Sequence, residues 1–160
     1  MKKLLSVICV LVSLTSHAQV AKKVYPLGPD PRLTPGSLCD RPTESRYPEG
    51  IAYCEREVSS ETKDYVFKEY RTQLGYALGD RHNNYKVDHF IPLCAGGSNR
   101  EDNLWPQYVA VYSKTDALEE LACKKLSQGK IKQAEVVNLI KAAKRNLSLV
   151  PQTMQRLNSL

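Results

Sequence analysis

Between Tyr85 and Gln107 the chain changes its hydrophobic rhythm, and this change constrains the fold more than any other feature of the sequence. Tyr85-Lys86-Val87-Asp88-His89-Phe90-Ile91 has the aromatic and β-branched content of a short strand. Gly96-Gly97-Ser98-Asn99 turns the chain, and Asn103-Leu104-Trp105 returns as a second strand that Pro106 ends. Helical spacing lies on both sides of this hairpin. Val66, Phe67, Tyr70, Leu74 and Leu78 recur every three or four residues after Ser59-Ser60, with Gly79 as a stop. Beyond the hairpin, Ser113 and Asp116 resemble a capping pair, and Leu118, Leu121, Ala122 and Leu126 form one stripe up to Gly129. Ile131, Val136, Val137, Ile140 and Ala143 continue as a further helix, with Lys141, Lys144 and Arg145 opposing its dipole. The expected class is α+β, a mostly helical single domain built around one hairpin.

Length agrees with one domain: 160 residues, 42% hydrophobic and 25% charged, do not accommodate two cores comfortably. Residues 1–18 are set apart as a signal peptide. Lys2 and Lys3 precede the apolar run from Leu4 to Val12, and Ser16-His17-Ala18 supplies small residues for cleavage before Gln19. The run is too short to span a bilayer. Removing it takes two of the 23 Lys and Arg and none of the 17 Asp and Glu, which leaves 21 against 17, or +4. A basic exported chain is predisposed to polyanions, although charge alone favours a solubilising excess.

Cys9 leaves with the signal, and four cysteines remain in a chain bound for an oxidising space. Cys39, Cys54, Cys94 and Cys123 contain no C-x-x-C pair, so two disulfides are expected rather than a four-cysteine zinc site. Three connectivities are possible. Cys39 with Cys54 closes a short irregular loop, Cys94 with Cys123 fastens the hairpin to its helix, and this pairing is the one expected. Pro26, Pro29, Pro31 and Pro35 make residues 19–36 a Pro-rich extended arm. Residues 148–160, with Pro151, read as a polar C-terminal tail that frays.

The ordered set Asp88-His89, Pro92-Leu93, Gly96-Gly97 and Asn103-Leu104, followed by Trp105-Pro106-Gln107, resembles the HNH (ββα-metal, His-Me finger) endonucleases. The resemblance extends to small exported members through Leu33-Thr34-Pro35-Gly36 and Asp116-Ala117-Leu118-Glu119. It makes residues 37–147 an HNH nuclease-like domain with a ββα-metal core. Two departures stand out: Thr115 replaces a Lys, and Lys86 occupies a place where an acidic residue is common.

The residues suit the chemistry on their own terms. An imidazole titrating near neutrality, His89, is the candidate general base. Asp88 offers a hard oxygen to one divalent metal, Mg2+ or Mn2+ in preference to Zn2+. By resemblance, Asn103 ties the hairpin strands together through side-chain to backbone hydrogen bonds, with metal ligation as a second possibility. Counting from Asn103 to the family's last ligand lands near Tyr112, a poor hard-metal ligand, so Asp116 is the substitute, with Glu119 and Gln107 behind it. Arg81, beside His82 in a polar loop, is a candidate phosphate holder. Trp105 reads as a core anchor. Neighbours on a strand point to opposite faces, so for Asp88 and His89 to serve one site the strand must twist or end there.

The expectation is a secreted or periplasmic metal-dependent endonuclease acting on nucleic acid, DNA in preference to RNA, with little sequence specificity. The resemblance implies 5′-phosphate and 3′-hydroxyl products. A basic exported nucleic-acid-binding or interaction protein without turnover is the alternative. A toxin-like effector with an inhibitor or immunity protein as partner would keep the same chemistry.

Overall fold

The computed structural model describes residues 24–79 and 83–160. The signal peptide, its cleavage before Gln19, and both Arg81 and His82 lie outside these residues. The chain is α+β. A small hairpin, β1 (Glu44–Arg46) with β2 (Ile51–Tyr53), precedes helix α1 (Ser60–Thr72). The second hairpin joins β3 (Tyr85–His89) to β4 (Leu104–Tyr108), and helices α2 (Val109–Ser127), α3 (Gln133–Arg145) and α4 (Val150–Asn158) follow.

Ser59 caps α1 by accepting a hydrogen bond from Thr62 N. This helix stops at Thr72, short of the expected Gly79, and Gly75 adopts the left-handed conformation just beyond. Leu78 nevertheless reaches the core from the irregular segment that follows.

Strand β4 runs through Pro106 instead of ending there, and the register explains why. Phe90 N donates to Asn103 O and Val109 N donates to Asn84 O, so Val87 and Pro106 face each other at a non-bonding rung. The N–H that proline lacks has no ladder partner at that rung. No loop separates β4 from α2, which starts at Val109, four residues before the expected cap at Ser113.

Alternation gives the hairpin two unlike faces. Tyr85, Val87 and Leu104 pack with Val66, Phe67 and Tyr70 of α1 in one core, which also takes in Phe90 and Trp105. Hence the hairpin rests its apolar face mainly on α1, and not on the following helix as a ββα arrangement implies. Lys86 and Asp88, paired with Gln107 and Trp105, project to the other side. A second core joins α2, α3 and α4 through Leu118, Leu126, Val136, Ile140 and Leu157.

Residues 150–158 are a helix, which corrects the reading of a frayed tail. Pro151 stands in its first turn, where the missing N–H is no loss, and Val150, Thr153 and Leu157 are buried along one side. The Pro-rich arm has no ladder of its own and is tied down residue by residue. Thr34 Oγ1 donates to Leu104 O at 2.9 Å and lies 2.8 Å from the Tyr70 hydroxyl, Asp30 N donates to that hydroxyl, and Tyr25 stacks on Tyr108.

Disulfides join Cys39 to Cys54 and Cys94 to Cys123, as expected. The first closes a 15-residue separation, worth about 3 kcal/mol in the chain-entropy description. The second fixes the turn after β3 to α2. Within that turn Gly96 takes a left-handed φ of 80°, while Gly97 is required for space: a Cβ there would lie 1.8 Å from Ile91 O.

Candidate active site

The site forms where β3 ends. His89 is its last residue, so Asp88 and His89 escape strict alternation and reach the same guanidinium: Arg56 Nη2 lies 3.2 Å from Asp88 Oδ1 and 3.3 Å from His89 Nδ1. Both Asp88 and His89 are buried, and their Oδ1 and Nδ1 atoms lie 4.0 Å apart.

The imidazole tautomer follows from its partners. A guanidinium only donates, so Nδ1 accepts and Nε2 carries the proton. Nε2–H donates to Asn99 Oδ1 at 3.0 Å, and Asn99 is held in that sense because its Nδ2 donates to Glu55 O at 2.6 Å. Burial, with the Arg56 charge adding to it against the Asn99 bond, pushes the His89 pKa down to about 4. At neutral pH the ring is therefore uncharged, with its basic lone pair at Nδ1.

Burial also opposes ionisation of Asp88, but the cations Lys144 and Lys86, together with His89, outweigh it and hold the carboxyl below its ordinary range. Lys144 is fully buried in α3. It donates to the His89 carbonyl at 2.5 Å and pairs with Glu119 Oε1 at 2.7 Å. That carbonyl is available because His89 faces Leu104 at a non-bonding rung, which turns its backbone groups away from β4. Burial pushes the Glu119 carboxyl up, against the pull of Lys144.

Asp88, Asp116 and Glu119 each bring one carboxylate oxygen into a group whose atoms all lie within 4.8 Å of one another. Asp116 and Glu119 are three apart on α2, so they share the face turned toward Asp88. Gln107 belongs to the same surroundings. It pairs with Lys86 across the ladder, its Nε2 reaches Thr115 at 3.4 Å, and its buried Oε1 has no hydrogen-bond partner. Three hard carboxylates that converge in this way are a donor set that fits a divalent cation. Lys86 Nζ sits at this cluster too, 2.7 Å from Asp116 Oδ1 and 3.2 Å from Asp88 Oδ2.

Asn103 lies outside the cluster. Fully buried, it accepts from Ile91 N at 2.9 Å and donates to Ile91 O at 3.0 Å and Ser98 O at 2.9 Å, which stitches the two ends of the hairpin turn together behind His89. Trp105 is fully buried in the α1 core. A groove of about 750 Å³ opens beside His89, lined by Arg41, Arg56, Asn99 and Arg100 among acidic neighbours.

Arg56, Asn99 and Lys144 were missed at the sequence level. Asn99 was read only as a turn residue, Lys144 as a dipole-opposing cation, and a lone arginine two positions after Cys54 carries no pattern. No family model, curated protein or solved structure matches this chain. Among the described residues no helix is long and apolar enough to cross a membrane.

Proposed function

We propose that the protein is a secreted or periplasmic endonuclease of the HNH type, a metal-dependent phosphodiester hydrolase acting on DNA in preference to RNA. One observation carries this reading: a buried imidazole, neutral at physiological pH, lies beside an ionised Asp88 that converges with Asp116 and Glu119. His89 Nδ1 is the atom that accepts the proton of an attacking water, a role that requires Arg56 Nη2 to release it. Asn99 and the Asn103 stitching keep the ring aimed. Arg56, whose side chain is 56% exposed, presents the remaining faces of its guanidinium to a backbone phosphate entering along the groove.

Asp88, Asp116 and Glu119 would hold the divalent cation, Mg2+ or Mn2+ before Zn2+, and when bound it supplies stabilisation of charge at the leaving oxygen. The two disulfides support an oxidising compartment. Among the described residues the groove is lined by side chains of Arg41, Arg56 and Arg100 suited to phosphates, so phosphate contacts dominate and sequence preference is weak.

The pairing of Lys86 and Lys144 with the carboxylates favours a second reading, a basic nucleic-acid-binding protein without turnover. Supercoiled plasmid incubated with the purified protein, with Mg2+, with Mn2+ or with chelator, separates the two. Metal-dependent nicking by the wild type and its loss in a folded His89→Ala variant is the expected result. Retention of plasmid without cleavage under every metal condition overturns the nuclease reading in favour of the second.

A further inference from the structure

Two lysines neutralise the carboxylate cluster, and they differ in kind. Lys144 is fully buried, and its removal would strand both the Glu119 carboxylate and the His89 carbonyl. Lys86 comes from β3 with its side chain 35% exposed, bonded to Asp116 Oδ1 and paired with Asp88 Oδ2. In the same position its Nζ lies 4.9 Å from the centre of the Tyr112 ring, one turn before Asp116 on α2, so the ammonium has an uncharged partner beside its carboxylates. Lysine is a flexible point charge on a long stem, so it can leave its partners without disturbing the strand that carries it.

We propose that Lys86 is an exchangeable internal counter-ion that competes with a divalent cation for Asp88 and Asp116, and so sets the metal concentration at which the site loads. This rests on the metal reading of the cluster. The ammonium contacts two of the three carboxylates that a cation would take. A cation that takes them meets a like charge unless Lys86 swings out, whereas Lys144 stays beneath Glu119. The cluster therefore keeps one fixed positive charge and trades the other.

The test is binding without nucleic acid, on the purified full chain with its disulfides intact. Mn2+ is titrated calorimetrically into the wild type, Lys86→Met, Lys86→Gln and Asp116→Asn, each checked for fold by circular dichroism. Separately, acetylation of wild-type Lys86 by an N-hydroxysuccinimide ester is followed by peptide mass with and without saturating Mn2+. Losing two partly exposed ion pairs should make Mn2+ binding to Lys86→Met and Lys86→Gln about tenfold tighter, or about 1.4 kcal/mol. Mn2+ should also make wild-type Lys86 several-fold more reactive.

Equal or weaker binding by the two Lys86 variants overturns the competitor role, as does acetylation that Mn2+ leaves unchanged. If Asp116→Asn then abolishes binding, the metal reading survives that failure. Absence of Mn2+ binding by the wild type and both Lys86 variants at millimolar concentration overturns the metal reading and the competitor role together.

Discussion

Replacing Asn103 by Ala tests whether the site is held from behind. Three buried groups depend on this one side chain: the Ile91 N–H and the carbonyls of Ile91 and Ser98. Ile91 is 2% exposed and Ser98 1%, so water does not take over from the lost amide. A buried polar group left unpaired costs about 1–3 kcal/mol, and the three together give about 3–6 kcal/mol after allowing for relaxation of the two carbonyls. That is a large share of the roughly 5–15 kcal/mol available to a domain. Urea unfolding followed by circular dichroism should show the midpoint falling with an unchanged slope. Asn103→Asp separates the donors from the acceptor. It still accepts from Ile91 N–H, but when ionised it offers nothing to the two carbonyls, so its deficit should shrink as pH falls and the carboxyl gains a proton. An Asn103→Ala variant destabilised by less than about 1 kcal/mol, with its slope intact, would refute the stitching account.

Burial of neutral His89 should appear in the pH dependence of stability. Its folded pKa is depressed from 6.5 to about 4, so the contribution is complete above pH 6.5 and is lost as pH falls toward 4; at about 1.4 kcal/mol per unit this is about 3 kcal/mol. The stability difference between wild type and His89→Gln should narrow by that amount across the window, and a constant difference would disprove the depressed pKa. Lys144→Met should cost about 3–5 kcal/mol by leaving Glu119 unpaired, with part of the loss recovered in Lys144→Met/Glu119→Gln. Thermal melts giving additive losses in the double variant would show that the pair is not coupled.

What could be read from the sequence was mostly local. The second hairpin announces itself through aromatic and β-branched residues before Gly96-Gly97 and Leu104-Trp105 after it, and Cys94 beside that turn has a natural partner one helix later. From the sequence Asp116 is only a substitute for the ligand that the resemblance expects on the following helix, and what the structure shows is that it lies near Asp88, with Glu119 at helical spacing. Other features depend on where the chain happens to pass. Pro151 stops a helix or starts one, and only the packing of Val150 and Leu157 against neighbouring helices decides. Arg56 is brought to His89 by a segment anchored at Cys54, and Lys144 by a helix 55 residues downstream. A single basic residue has no periodicity by which such a role can be recognised. The turn at Gly75 likewise ended α1 before its apolar spacing ran out.

The contact from Lys144 to the His89 carbonyl also imposes an order in time. A nascent chain has the whole second hairpin and all of α2 before α3 emerges from the ribosome. Until residue 144 is available, Glu119 and the His89 carbonyl lack the lysine that joins them, and a product truncated before α3 carries Asp88 and His89 with Arg56 and Lys86 but without Lys144. The site is thus completed only once α3 has been made, and products that stop before it inherit its residues without the fixed charge of Lys144.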